Sequence, residues 1–180
     1  MILFQDYSDA AKLAYNDAVI FSTRYLPPRD FFAQDTHMDF ELTIARLKLF
    51  VLKQTACRII PDFDLLPVKN FASWLARTKD GKGAIFLFAR QMMNWEQTSR
   101  MPQRVQKIRS IIHELGHIRL TPKLLISAKP GEITIPASPE EERVAWVYCL
   151  NFLAVILGEY SLNSRIQTPI GIDDAPKLFL

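Results

Sequence analysis

The stretch Arg109 to Leu120, RSIIHELGHIRL, decides how the rest of the chain is read. It holds two of the three histidines, His113 and His117, on either side of Glu114, Leu115 and Gly116. In a helix, residues four apart lie one turn apart on the same face, so both imidazoles can aim a ring nitrogen at one point. His-Glu-x-x-His is the pattern in which two such nitrogens bind Zn²⁺. The glutamate, about 100° further round, stays out of the ligand set but reaches a water at the metal. Val105, Ile108, Ile111, Ile112, Leu115 and Ile118 fall on one arc of roughly 140°. His113, Glu114 and His117 lie outside it and border the packed face, as residues lining a cleft do. Arg119 lies inside the arc, in the last turn, where its stem can pack while its charge reaches water. Gly116 costs about 1 kcal/mol relative to alanine, which fits a turn that something must approach closely. The competing reading is a buried helix whose two histidines bond only to neighbours.

At 180 residues, 49% hydrophobic and 23% charged, the chain has the size and balance of one globular domain with a sizeable core. Its net charge of +3 is spread along the sequence, and the cluster Arg100, Arg104 and Lys107 reads as a solvated helix turn. Direct nucleic-acid binding is therefore not expected. Cys57 and Cys149 belong to no Cys-x-x-Cys pair and read as reduced core residues. The N-terminus, MILFQDYSDAAK, lacks the basic and apolar regions of a signal peptide, and the expected location is the cytoplasm. Ala145 to Gly158 is the most apolar run, shorter than the roughly 20 residues a membrane span needs. It reads as a buried helix, with no membrane partner.

In chain order, Ser8-Asp9 opens a helix over DAAKLAYNDAVIFSTRYL that ends before Pro27-Pro28. Thr36 and Asp39 resemble a capping box for a second helix, MDFELTIARLKLFVLKQTACRII, running to Pro61. His37, at its start, reads as a surface or capping residue. Residues 61 to 70 form a loop, and Asn70 caps a short helix, FASWLARTK. After the turn Asp80-Gly81-Lys82-Gly83, Ala84 to Ala89 (AIFLFA) is the best strand in the chain, with a short buried helix as the alternative. Met92, Met93 and Trp95 read as core residues, with a substrate groove as the alternative. Thr121-Pro122 stops the His113 helix, and Lys129-Pro130-Gly131-Glu132 centres a hairpin or an extended loop with a type II turn. Ser138, Pro139 and Glu141 mark the next helix by a capping box with proline in the first turn.

A catalytic zinc site takes three protein ligands and leaves a fourth position for water. With His37 the only other histidine, the third ligand points to a carboxylate, and Glu140-Glu141-Glu142 begins the next helix. Ala145, Trp146, Cys149, Leu153 and Ile156 fall within about 60° of Glu142, which therefore heads the inward stripe. Glu140 points the opposite way and Glu141 serves the cap. The alternative is a first-turn glutamate that complements the helix dipole.

HELGH followed about 25 positions later by Glu142-Arg-Val-Ala145-Trp-Val-Tyr148-Cys149 resembles the H-E-L-G-H and E-x-x-A-N-x-F-A pair of the ImmA/IrrE family of small zinc peptidases. The similarity covers roughly residues 80 to 157. It implies zinc on His113, His117 and Glu142, Glu114 as general base, and a cytosolic protein or peptide substrate such as a DNA-binding transcriptional repressor. Trp146 departs from the family pattern, replacing its polar residue, and Cys149 replaces a small alanine. In zinc peptidases a strand placed like Ala84–Ala89 commonly lies along the cleft and pairs with substrate.

The expected architecture is a single α+β domain, mainly helical and zincin-like, with a small β-sheet. Residues 1–79 form a helical scaffold, 80–160 the catalytic core and 161–180 a tail that wraps the domain or covers the cleft. The expected activity is zinc-dependent peptide-bond hydrolysis. Its rivals are a regulatory protein that keeps the zinc site without turnover, a metal-free structural domain, and a zinc hydrolase of a non-peptide substrate. No oxyanion donor is clearly placed: Tyr148 lies off the Glu142 face, and Tyr160 or an arginine is the remaining option.

Overall fold

Helix α1 (Phe4–Tyr25) and helix α2 (Phe40–Thr55) lead into strands β1 (Arg58–Ile60), β2 (Ser73–Arg77) and β3 (Gly83–Leu87). Helices α3 (Ala89–Ser99), α4 (Gln103–Leu120), α5 (Lys123–Ser127) and α6 (Pro139–Ile156) follow. The structure is a computed structural model that describes residues 4–25, 40–61, 72–99 and 103–156. Thr36, His37, Asp39, Arg100, Tyr160 and the 161–180 tail lie outside the described residues. The architecture is α+β, mainly helical, with one small sheet. Among the described residues no helix is long and apolar enough to cross a membrane.

The core forms where three helices converge. Ala10, Ala11, Ala14 and Ala18 are all fully buried; at helical spacing they give α1 a face of methyl groups, which lets it lie close along α6. In α2, Thr43, Ile44, Leu47, Phe50 and Val51 make the buried stripe. Phe21 of α1, Phe50 of α2 and Phe152 of α6 meet with ring centroids 5.4 to 6.1 Å apart, within the range of favourable aromatic pairs. Both cysteines are free and buried, and Met92 is fully buried while Met93 is exposed.

Three boundaries differ from the sequence reading. Helix α1 begins at Phe4, ahead of Ser8-Asp9. Helix α2 stops at Thr55, five residues before the expected end, because Ala56 takes a left-handed conformation (φ 57°) that breaks the helix. The last helical bond runs from Ala56 N to Leu52 O, and the Thr55 hydroxyl, which donates back to Val51 O at 2.7 Å, accepts from the next backbone N–H, that of Cys57, at 3.2 Å. Arg58-Ile59-Ile60 then pairs in parallel with Ala84-Ile85-Phe86. The expected FASWLARTK helix is instead β2, antiparallel to β3 from Ser73↔Leu87 to Arg77↔Gly83. A strand buried at four consecutive positions shows no alternation, so periodicity cannot separate it from a helix.

Strand β3 lies where expected, but the sheet order is β1-β3-β2. Both edges of β3 are therefore occupied, and substrate cannot pair with it. The outer edge of β2 is partly covered as well. Arg77 N donates to Glu132 O at 2.9 Å and Thr134 N to Leu75 O at 3.0 Å, around an antiparallel bridge between Ala76 and Ile133. The Lys129–Glu132 turn closes as expected, with Glu132 N donating to Lys129 O and Gly131 at φ 86°. The apolar run before it is helix α5, so the two runs do not form a hairpin with each other.

Candidate metal centre

Two helices supply the centre. On α4, His113, Glu114 and His117 are 7%, 6% and 4% exposed, more enclosed than a cleft border requires. On α6, the capping box forms as read: Ser138 N donates to Glu141 Oε2 at 2.8 Å and Glu141 N to Ser138 Oγ at 3.2 Å. Lys123 Nζ holds the other Glu141 oxygen at 2.9 Å. Glu140 is exposed, which leaves Glu142 as the glutamate turned toward α4. The helices come this close because residue 116 is glycine. A Cβ there would stand 3.1 Å from Ala145 O and from Tyr148 Cδ1.

His113 Nε2 and His117 Nε2 are 3.2 Å apart, and Glu142 places Oε2 3.2 Å from the first and Oε1 3.4 Å from the second. Ligand atoms about 2.05 Å from a zinc ion, at tetrahedral angles, stand about 3.3 Å from one another. The nitrogen pair has that spacing, and each nitrogen stands at about that distance from one of the two Glu142 oxygens; one atom from each residue lies within 4.8 Å of the others. Two imidazole nitrogens at this separation repel unless a proton or a cation lies between them. The donor set of two neutral nitrogens and one carboxylate suits Zn²⁺. Burial of Glu142 opposes its ionisation, but hydrogen bonds from His113 and His117 outweigh that and hold its carboxyl well below the usual carboxylate range. Burial likewise opposes a charge on His117, while the Glu142 hydrogen bond and the Glu114 carboxylate raise its pKa above the ordinary histidine value. The centre thus favours positive charge.

Glu114 turns to a cleft of about 160 Å³, which it lines together with His117 and Glu142. Ser73 of β2 donates to Glu114 Oε1 at 2.7 Å and fixes the carboxylate. The opposite wall is mostly apolar: Trp74, Leu124, Ile135 and Pro136. Trp74 is held there by its indole N–H, which donates to Thr134 O at 3.1 Å.

Around the ligands, Thr121 Oγ1 lies 3.5 Å from His117 Nδ1 and donates its own proton to His117 O at 2.9 Å. Trp146 stacks on His113, with ring centroids 4.2 Å apart and planes at 35°. Tyr148 does not reach the cleft. Its hydroxyl donates to Asp17 Oδ2 at 2.6 Å, and Arg119 clasps the same carboxylate through Nε (3.0 Å) and Nη2 (3.2 Å). Sequence reasoning missed Ser73 and Asp17. Neither stands in a motif, although an aspartate at helical spacing among buried alanines was a signal for Asp17.

Fold and site together define a mainly helical α+β domain with a candidate metal triad of His113, His117 and Glu142. No family model matches the chain, and neither does any curated protein or solved structure.

Proposed function

We propose that this protein is a zinc-dependent endopeptidase. The observation that carries the reading is the convergence of His113, His117 and Glu142, with neighbouring ligand atoms 3.2 to 3.4 Å apart, at a cleft that Glu114 lines together with His117 and Glu142. The three converging side chains would hold Zn²⁺, which when bound lowers the pKa of water and polarises a scissile carbonyl. Ser73 occupies Glu114 Oε1, leaving Oε2 to take the proton of the attacking water and return it to the departing amine. The cleft wall of Trp74, Leu124, Ile135 and Pro136 suits an apolar side chain next to the bond that is cut. The resemblance of HELGH and Glu142-x-x-Ala145 to the ImmA/IrrE motifs supports a regulatory protein, such as a DNA-binding repressor, as the substrate in the cytoplasm.

The test is incubation of the zinc-loaded protein with a peptide library and with repressors encoded beside its gene, with products read by mass spectrometry. Cleavage at a defined bond, abolished by Glu114→Gln with zinc retained, is expected. Absence of any cut that depends on Glu114 contradicts the proposal. A regulatory zinc protein without turnover is favoured by one observation. Among the described residues that line the cleft there is no arginine, lysine or tyrosine to stabilise an oxyanion.

A further inference from the structure

We infer that Trp146 is a positioning residue for His113, orienting the ring by stacking where His117 has a hydrogen-bond acceptor. The inference rests on the metal-centre reading above. Metal-binding histidines ordinarily give their second ring N–H to an acceptor, which fixes both tautomer and ring orientation. His117 has such a partner in Thr121 Oγ1: that hydroxyl has spent its proton on His117 O and keeps a lone pair for Nδ1–H. The two ligands are not equivalent, because His113 Nδ1 is buried and has no hydrogen-bond partner among the described residues.

What His113 has instead is the Trp146 ring at 4.2 Å, tilted by 35°. Trp146 also lies 4.4 Å beneath the Arg109 guanidinium, and Arg109 precedes His113 on α4 by one turn. The indole is thus braced against two residues four apart on α4. The neighbouring turn of α6 is tied to the same place, since Cys149 Sγ donates to Arg109 O at 3.4 Å. An indole face carries negative potential. An imidazole stacked on it is held most firmly when a cation draws electron density out through Nε2, so the stack should favour the metal-loaded state as well as the ring position. A merely space-filling role would ask for bulk alone. An aromatic role asks for a π-face.

The test compares wild type with Trp146→Phe, Trp146→Leu and Trp146→Ala as full chains stripped of metal, measuring Zn²⁺ affinity by competition with a chromophoric chelator. Circular dichroism and thermal melting of each stripped variant check the fold. Loss of an orienting partner typically weakens metal binding about 10- to 100-fold, so Leu and Ala are expected to lose at least about 10-fold while Phe stays within about 3-fold of wild type. Leu binding as tightly as Phe overturns the inference, and this comparison stands even if Trp146→Ala fails to fold. Wild type binding no zinc removes the metal centre and this inference together. Zinc on wild type with all three variants equal to it removes only the role of Trp146.

Discussion

Gly116 of α4 lies against the backbone of Ala145 on α6, so close that a methyl group at 116 would stand 3.1 Å from the Ala145 carbonyl oxygen. The two helices that meet there carry all three candidate ligands, His113 and His117 on one and Glu142 on the other. Gly116→Ala should gain about 1 kcal/mol of helix propensity. It should lose more, since overpacking a site walled by backbone costs about 1 to 3 kcal/mol. The expected outcome is a net fall in stability by chemical denaturation together with weaker Zn²⁺ binding, because α6 can only yield by moving Glu142 away from the histidines. Unchanged zinc affinity would uncouple the crossing from the metal centre.

Ser73 is the candidate-site residue that comes from furthest away, 41 positions before the Glu114 it holds. Hydrogen bonds to charged groups are worth about 1.5 to 3 kcal/mol, so Ser73→Ala should lower kcat/KM by about 10- to 100-fold. Zinc content is expected to stay at the wild-type level, since Ser73 touches the base and not the ligands. Ser73→Thr, which keeps the hydroxyl, should recover part of the loss. Equal activity in wild type and Ser73→Ala would show that the Glu114 carboxylate needs no such anchor.

Asp17, 3% exposed, accepts from both Tyr148 and Arg119 and thereby joins α1, α4 and α6. Removing one partner of a buried ion pair costs about 3 to 5 kcal/mol. Because the Arg119 side chain keeps 32% exposure, Asp17→Ala is expected at about the lower end of that range. Tyr148→Phe should cost about 1.5 to 3 kcal/mol, the worth of one hydrogen bond to a charged group. Urea titrations of the two variants test this order, which reverses if the tyrosine carries the junction.

Alkaline pH should destabilise the fold through groups buried in their protonated forms. Burial pushes the Tyr148 hydroxyl well above the usual tyrosine value, with the Asp17 carboxylate adding to the shift. Burial likewise pushes the Cys149 thiol up to about 12. A raised folded-state pKa gives stability that is complete below the unfolded value and lost as pH climbs toward the folded one. The loss should begin near pH about 9 for Cys149 and about 10 for Tyr148, at about 1.4 kcal/mol per pH unit for each group. Stability followed by urea midpoint should fall less steeply above that point in Tyr148→Phe. At about pH 8 Cys149 should also resist alkylation until the chain unfolds.

The helical parts of the centre were readable because their signals are local. His113 and His117 share a face by spacing alone, Ser138 and Glu141 announce the start of α6, and the phase of Glu142 follows from the apolar residues behind it. Gly116 was also informative, since its cost in a helix pointed to a close approach that is now seen to be Ala145. The sheet was harder. Ser73–Arg77 is buried at almost every position and becomes a strand only because β3 offers it an edge, while Ala56 ends α2 without any glycine or proline to signal it. Trp146 stood out as a departure from a family pattern, but its place against His113 and Arg109 depends on how α4 and α6 cross. Ser73 on Glu114 and Arg119 on Asp17 are long-range pairings that no window of sequence contains.

Metal content bears on the centre most directly. The protein should be purified without added zinc, beside His113→Ala and Glu142→Ala, and its bound metal measured by elemental analysis. About one zinc per chain in wild type, and most of it lost from both variants, is the expected result for a three-ligand site. Wild type that stays folded and takes up no zinc even when it is supplied would contradict the metal centre, and the proposed peptidase with it.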